Sequence, residues 1–325
     1  MHRRTFIAAG AGAIAGALPR LALGQNDYPN HPVRLVVGFP PGGSADMAAR
    51  MLAERLGAEL RQPIIVENRA GAAGNIGGES VARATADGYT LLMAAAAQIG
   101  INPSLYPKMG YSPSKDLAPV SLVQNEHNLM VVHPSVPAAN VKEFIAWAKA
   151  HPDKATFASP GIGSPAHLAG VLMNQMAGLT MLHVPYKGSA PAISDLLAGN
   201  VTMAIDNMPP YLPQVRAGKL RALAVASPTR AKAAPDIPTI AESGLPGYAV
   251  SAWKGLMAPA GTPAAIIERL HQAVVRSLAN PELQQRMLEA GAEPVGNTPA
   301  QFGAFIENDT RQWAALVKSI GLTLE

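Results

Sequence analysis

The chain has 325 residues, with 26 Lys and Arg, 22 Asp and Glu and no cysteine, which is enough for one large domain or two. The lack of cysteine excludes disulfides, thiolate metal sites and a cysteine nucleophile. Aromatic residues make up 5% of the chain and no Lys/Arg block follows the first residues, which argues against a nucleic-acid groove.

The first residues have the pattern of an export signal. Arg3 and Arg4 precede Phe-Ile and an apolar Ala/Gly run to Leu18, and the small residues at 22–24 suit a signal peptidase. The paired arginines favour the twin-arginine route. The alternative is a membrane anchor, but the apolar run is too short to span a bilayer. We therefore predict a cleaved signal peptide over residues 1–24 and a periplasmic mature protein.

Apolar runs then alternate with segments of helical periodicity along nearly the whole chain. Strands are predicted at 33–39, 64–66, 89–94, 129–132, 155–159, 182–184, 201–205, 221–226 and 253–257. Helices are predicted from about Ala45, Asn140, Pro165 and Ala190, and after Thr262-Pro263, Asn280-Pro281 and Thr298-Pro299. This alternation predicts an α/β fold with mostly parallel sheets flanked by helices.

The first predicted strand ends in a glycine-rich turn with Gly42 and Gly43, and a helix follows with Ser44 near its cap and Asp46 in its first turn. Backbone N–H groups at such a junction lack partners within the helix, and the helix dipole favours negative charge there. An anion can bind at this point without Arg or Lys. An ordinary well-capped loop explains the pattern equally well.

A second loop of the same design follows another strand. Ser159 ends the strand, Gly163 and Ser164 precede a helix, and His167 lies in its first turn. Two such loops in separate α/β units predict two half-sites facing one cleft, because open α/β sheets bind ligands at the carboxyl ends of their strands. His167 could donate to a bound anion, or it could be a packed or solvated histidine.

Three further polar residues follow predicted strands and are candidates for the same cleft, namely Gln98, Asn102 and Asp206. Lys187 could add positive charge, although a single lysine is usually solvated. The glycine cluster at 71–78 has the spacing G-x-x-G-x-x-G without the acid that a dinucleotide site requires, so a closely packed loop is favoured. Neither a G-x-S-x-G elbow nor an H-E-x-x-H or Walker sequence is present.

Several motifs in order resemble one family across the mature chain. They are Val-Glu-Asn-Arg-Ala-Gly at 66–71, Gly-Ser-Pro-Ala-His at 163–167, Val-Pro-Tyr-Lys-Gly at 184–188 and Trp-Lys-Gly-Leu-Met-Ala-Pro at 253–259. The sequence is similar to the Bug-type, TctC-like receptors, the periplasmic solute-binding proteins of tripartite tricarboxylate transporters. It departs from them at Gln98-Ile99-Gly100, where many relatives have Ser-His-Ala.

The resemblance implies a type II-like periplasmic binding protein of two domains joined by two crossover strands, near 125–128 and 247–251. Domain 1 would comprise residues 25–126 and 249–325, and domain 2 residues 127–248. One ligand carboxylate would be held by backbone N–H groups of the 42–44 loop. The candidate ligand-binding residues are Phe39, Gly42, Gly43, Ser44, Asp46, Gln98, Asn102, Ser159, Gly163, Ser164, His167, Tyr186 and Asp206.

The expected function is capture of a small carboxylate and its delivery to the membrane subunits of a tripartite transporter. We expect no catalysis, cofactor or metal, no nucleic-acid partner, and a monomer. Two alternatives remain at this point. The chain could be an exported hydrolase or transferase that uses His167 with a serine of the cleft, or a ligand-sensing partner of a membrane signalling protein.

Overall fold

A computed structural model describes residues 28–322, and the predicted signal peptide lies outside them. The strands are β1 Val33–Val37, β2 Ile64–Asn68, β3 Thr90–Ala95, β4 Leu117–Val132, β5 Thr156–Ser159, β6 Leu182–Pro185, β7 Met203–Asn207, β8 Arg221–Val225, β9 Ser251–Pro259 and β10 Ala292–Pro294. The alternation with helices confirms the α/β class.

The helices are α1 Ser44–Leu60, α2 Asn75–Ala82, α3 Asn102–Leu105, α4 Pro113–Asp116, α5 Val141–Ala150, α6 Pro165–Ala177, α7 Ser189–Leu197, α8 Met208–Arg216, α9 Ala264–Leu278, α10 Pro281–Glu289 and α11 Pro299–Ile320. A π-helical turn covers Ala97–Ile101. The predicted helix starts at Asn140, Asn280 and Thr298 are confirmed, and the side chain of each of these residues accepts a backbone N–H of the first helical turn.

The strands form one curled sheet in the order β2-β1-β3-β9-β4-β7-β5-β6, with β8 and β10 also paired to β4. We call the half with β1, β2 and β3 the first lobe and the half with β5, β6 and β7 the second lobe. Pairing is parallel within each lobe. It is antiparallel along β4 and β9, which connect the lobes.

Strand β4 is much longer than the predicted strand at 129–132. Its residues up to His127 pair with β9, and from Asn128 onward it pairs with β7 and β8. The sequence pattern missed its first part because Gln124, Glu126 and Asn128 are polar although they are buried. A buried polar row interrupts the apolar run by which strands are recognised.

Each lobe has its own apolar core, and the last helix contacts both. Leu35 and Leu56 belong to the core of the first lobe, and Phe157 and Leu168 to that of the second. Near the start of α11, Phe302 packs edge-on against Trp253 of β9, whereas Val317 near its end belongs to the core of the second lobe. Strands β4 and β9 and helix α11 therefore connect the lobes.

The glycine cluster at 71–78 is largely helical, which corrects the prediction of a loop, since a short 3-10 turn leads into α2. Its close backbone packing is confirmed. A Cβ on Gly77 would lie 2.6 Å from the Cα of Gly38, so only glycine lets α2 approach the end of β1 this closely.

None of the helices between residues 28 and 322 combines the length and apolar character needed to cross a membrane. Over the same residues, no cluster of His, Cys, Asp and Glu has a geometry that could hold a metal ion.

Candidate functional site: a cleft lined by helix N-termini

A cleft of about 540 Å³ lies between the lobes, at the carboxyl ends of β1, β3, β5 and β7. Residues of both lobes and of β9 line it, namely Phe39, Pro40, Gly43, Ser44, Ala45, Ala95, Ala96, Ala97, Pro160, Ser164, Pro165, Gly188, Ser189, Asp206, Asn207, Ala252 and Lys254. A wider opening of about 1300 Å³ shares part of this lining and adds Tyr106, Ile162, Tyr186 and Lys187. The two spaces are adjacent, because residues such as Phe39, Pro160 and Gly188 line both.

Four helices begin at the cleft wall. The N-terminal residues of α1, α6, α7 and α8 all line it, represented by Ser44, Pro165, Ser189 and Asn207. At α1, α7 and α8 no side chain caps the first turn. Helix α1 therefore leaves the amides of its first three residues available to a guest. Helix α7 offers two, because its third residue is Pro191, and α8 offers that of Met208, because the next two residues are prolines without an N–H. Each helix dipole adds partial positive charge.

The first glycine loop is held in place from behind by Asp46. Its Oδ2 accepts the N–H of Gly42 at 3.1 Å, and its carboxylate pairs with Arg50 and accepts the amide of Asn68. Burial alone would raise the pKa of Asp46, but these hydrogen bonds from Arg50, Gly42 and Asn68 hold it below its usual range. Asp46 does not line the cleft, so it supports the loop from outside.

The second loop is organised by Ser164 and His167. The Ser164 hydroxyl donates to the carbonyl of Gly161 at 2.7 Å and caps α6 by accepting the N–H of His167. The Nδ1 atom of His167 accepts the N–H of Gly163 at 3.2 Å, and the ring stacks on His183 with centroids 4.0 Å apart. Burial lowers the pKa of both histidines to about 4, so both rings are neutral at pH 7.

Asp206 lies at the floor of the cleft, at the end of β7. Its Oδ2 accepts the hydroxyl of Ser189 at 3.1 Å, and its Oδ1 accepts the N–H of Asn207 at 2.8 Å. Burial raises the pKa of Asp206 to about 6, although these hydrogen bonds and the nearby charge of Lys254 act in the opposite direction. Asp206 is therefore mostly ionised at neutral pH, although burial makes its charged form less favourable than in water.

Two contacts join the lobes across the cleft. Asn207 Nδ2 of the second lobe donates to Ser44 Oγ of the first at 2.8 Å. Gly188 of the second lobe faces Pro40 of the first closely enough that a Cβ on Gly188 would lie 3.1 Å from the proline ring. These contacts bring the first glycine loop against the starts of α7 and α8, and Ser164 of the second glycine loop lines the same cleft.

Five of the thirteen predicted residues line the cleft itself, namely Phe39, Gly43, Ser44, Ser164 and Asp206, and Tyr186 lines the wider opening. The other seven lie outside both linings, namely Gly42, Asp46, Gln98, Asn102, Ser159, Gly163 and His167. Asn102, for example, donates to the Ala73 carbonyl and to Asn75, where it supports the glycine turn before α2.

Sequence reasoning missed Ser189, Asn207 and Lys254, although all three line the cleft. Two signals were available. Ser189 follows a Lys-Gly turn in the same way that Ser44 follows Gly-Gly, and Lys254 is a single charge inside an otherwise apolar strand. A charge at a central position of a buried strand requires a partner, and so marks a special site.

A sequence model described as the tripartite tricarboxylate transporter family receptor matches residues 48–322. Protein BugT of Bordetella pertussis is 40% identical over 313 residues, which cover 96% of each chain. Both chains thus correspond over nearly their full length.

Two solved structures are similar in sequence and in fold. A protein of R. palustris determined with adipate has 37% identity and a TM-score of 0.89, covering 91% of this chain and 99% of that one. The periplasmic binding protein BugD has 38% identity and a TM-score of 0.87, covering 92% of this chain and 100% of that one. These similarities confirm the resemblance identified in the sequence and the periplasmic-binding-protein type of fold.

Proposed function

Because the chain belongs to the tripartite tricarboxylate transporter receptor family, we propose that it captures a small carboxylate in the cleft between its lobes and delivers it to membrane transport subunits. The observation that carries this proposal is the convergence of four helix N-termini, three of them without a side-chain cap, on one cleft. An anionic head group would complete the hydrogen bonds of these amides.

The composition of the cleft wall supports an anion held by backbone rather than by side-chain charge. No arginine is among the described residues that line the cleft. Alanine, glycine and proline make up most of the lining, so the main chain lies close to the guest. The amides then supply orientation, and the apolar residues supply contact with the carbon skeleton of the ligand.

Capture would proceed by closure of the lobes around the acid. We assign residues 25–126 and 249–325 to one domain and 127–248 to the other, with β4 and β9 as the hinge. The contact between Ser44 and Asn207 would form on closure, together with the packing of Pro40 against Gly188. Ligands that bridge the two loops favour the closed state, as in other hinged binding proteins.

Binding without chemistry is supported by the geometry at Ser164. Its hydroxyl donates to the Gly161 carbonyl, and the Nδ1 atom of His167 is occupied by the Gly163 amide. A serine nucleophile would instead donate to a histidine base. Ser164 and His167 are therefore not paired as nucleophile and base, and we propose binding without a catalytic residue.

Export through the signal at residues 1–24 would place the protein in the periplasm, the compartment of the periplasmic binding protein BugD. The closed form would then present its surface to the membrane subunits of a tripartite transporter.

The test is a thermal-shift and calorimetry screen of the mature protein against acetate, butyrate, succinate, malate, adipate, citrate, glutamate, nicotinate and benzoate. We expect at least one acid to raise the Tm by several degrees when its concentration is about a hundredfold above Kd. If none of the acids binds, the proposal is wrong. The matched pair Ser44→Ala and Ser114→Ala locates the site, because Ser44 Oγ accepts the Asn207 side-chain amide across the cleft, whereas Ser114 is an exposed residue of α4.

A further inference from the structure

The floor of the cleft contains a buried ion pair. Lys254 of β9 lines the cleft, and its Nζ lies 2.7 Å from Oε2 of Glu126 on β4. The two side chains are 3% and 0% exposed. The other oxygen of Glu126 accepts the amide of Gln124 at 2.6 Å. Glu126 is outside the cleft lining, so it holds the ammonium group from behind.

Stability does not explain why this pair is present. Removing two charges from water costs several kcal/mol per ion, and apolar residues of similar volume are often as stable or more so. The neighbouring residues Val123, Leu256 and Met257 on the same two strands are apolar and buried. An ion pair in such surroundings, on the wall of a ligand cleft, indicates a role in recognition.

Lys254 has hydrogen-bonding capacity to spare. An ammonium group has three N–H donors, and Glu126 is the acceptor that the described part of the chain provides. Acceptors are also available nearby in the lining. Asp206 accepts hydrogen bonds from Ser189 and Asn207 and has the Tyr211 hydroxyl beside it, which leaves lone pairs of its carboxylate free. The buried Oδ1 of Asn207 has no partner between residues 28 and 322. The floor thus combines free donors with free acceptors.

We propose that Lys254, positioned by Glu126, determines the specificity of the cleft, and that the preferred ligand is a carboxylate with a hydroxyl group at its other end. The carboxylate would bind the helix N-terminal amides. The hydroxyl would accept a hydrogen bond from Lys254 and donate one to Asp206 or Asn207.

Charge explains why a hydroxyl suits this floor better than the alternatives. Lys254 is balanced by Glu126, and Asp206 adds a negative charge when ionised. A second carboxylate would be attracted by Lys254 but repelled by Asp206. An ammonium group would be attracted by Asp206 but repelled by Lys254. A methyl group would leave the buried donors and acceptors unpaired, which costs binding energy. A hydroxyl satisfies both types of partner.

The inference rests on the proposed function, and calorimetry with two matched sets of acids tests it. One set is butyrate, 4-hydroxybutyrate, 4-aminobutyrate and succinate, and the other is hexanoate, 6-hydroxyhexanoate, 6-aminohexanoate and adipate. The proteins are wild type, Glu126→Gln/Lys254→Met and the control Glu59→Gln/Arg276→Met. The control removes a surface ion pair between α1 and α9, whose Arg276 Nε and Glu59 Oε2 are 2.7 Å apart.

We expect the wild-type protein to bind the hydroxy acid of at least one set about tenfold more tightly than its plain and dicarboxylate analogues. In Glu126→Gln/Lys254→Met the preference should fall below about threefold, and the control should keep it. A wild-type protein without preference for either hydroxy acid overturns the inference, and this arm does not depend on the folding of any variant. A preference that persists in the double variant, with wild-type far-UV circular dichroism, overturns the role of Lys254.

The same data separate the two proposals. If the wild-type protein binds neither these acids nor those of the wider screen, the proposed function itself fails. If it binds an acid without favouring a hydroxyl, only the assignment of Lys254 fails.

Discussion

Replacement of Gly188 by alanine tests whether the lobes close as the cleft contacts indicate. Gly188 has φ of 108° and ψ of 171°, a conformation that costs an L-residue about 1–3 kcal/mol. The new Cβ would also lie 3.1 Å from the ring of Pro40 on the opposite lobe. Relief of that contact requires the loops to separate by a few tenths of an ångström, at a cost to the closed state of about 1 kcal/mol.

On the proposed closure, the contact with Pro40 forms only in the closed state, so its cost should appear in ligand affinity. A penalty of about 1 kcal/mol raises Kd about fivefold. The backbone strain, in contrast, appears mainly as a lower Tm. The control is Gly218→Ala, at a glycine with φ of 68° and no atom within 4 Å of the added Cβ. It should lower the Tm without changing Kd.

The assay is calorimetry with the tightest acid of the screen, accompanied by small-angle scattering with and without that acid. Gly188→Ala should reduce the ligand-induced decrease in radius of gyration at a fixed subsaturating concentration of the acid. The reasoning is refuted if Gly188→Ala binds with wild-type affinity while its Tm falls, because the strain would then be present without any effect on closure.

Three further predictions concern individual side chains. The raised pKa of Asp206, about 6 in the folded protein, means that its contribution to stability is complete below pH 4 and is lost as pH rises to about 6. Asp206 should thus lower the free energy of unfolding of the wild-type protein by about 3 kcal/mol between pH 4 and about 6. Urea denaturation of Asp206→Asn should show a correspondingly smaller fall over the same pH range. Thr298→Ala breaks the capping box of α11 and should cost about 1 kcal/mol in urea denaturation with no change in Kd; a large affinity loss would contradict this. Asp46→Ala frees the Gly42 amide and should weaken binding several-fold by calorimetry although Asp46 does not contact the cleft; unchanged affinity would show that the loop keeps its shape without it.

The sequence predicted well those parts of the fold in which the local preference of the residues for helix or strand agrees with their place in the folded protein. The apolar run of β1 is buried in the first lobe, and the Thr298-Pro299 start of α11 shows the expected cap. Helix α8 was missed because Met208–Arg216 contains three prolines, which argue against a helix. Two of them lie in its first turn, where no intrahelical N–H is required, and Pro213 is accommodated further along.

The sequence located backbone features of the cleft lining better than its side chains. Ser44 and Ser164 could be located from glycine turns followed by helices, because that pattern is local. The sequence indicated that His167 could donate to a bound anion, yet His167 is buried and stacks on His183 outside the cleft lining. Lys254 depends on Glu126, which is 128 residues away in sequence. Only strand register brings them together, and that cannot be obtained from local periodicity.

Helix N-terminal amides and floor side chains have different roles in ligand recognition. Helix N-terminal amides offer a positive end to any small anion, because they belong to the backbone. They therefore favour anions as a class but distinguish poorly between carboxylates. Discrimination requires directional side chains that are held in a fixed position. Lys254 meets this condition because β9 pairs with β4 on both sides of it and Glu126 holds its ammonium group. The choice among carboxylates should thus depend on the residues of β7 and β9 at the cleft floor. The glycine loops should need no change in sequence when the preferred ligand changes.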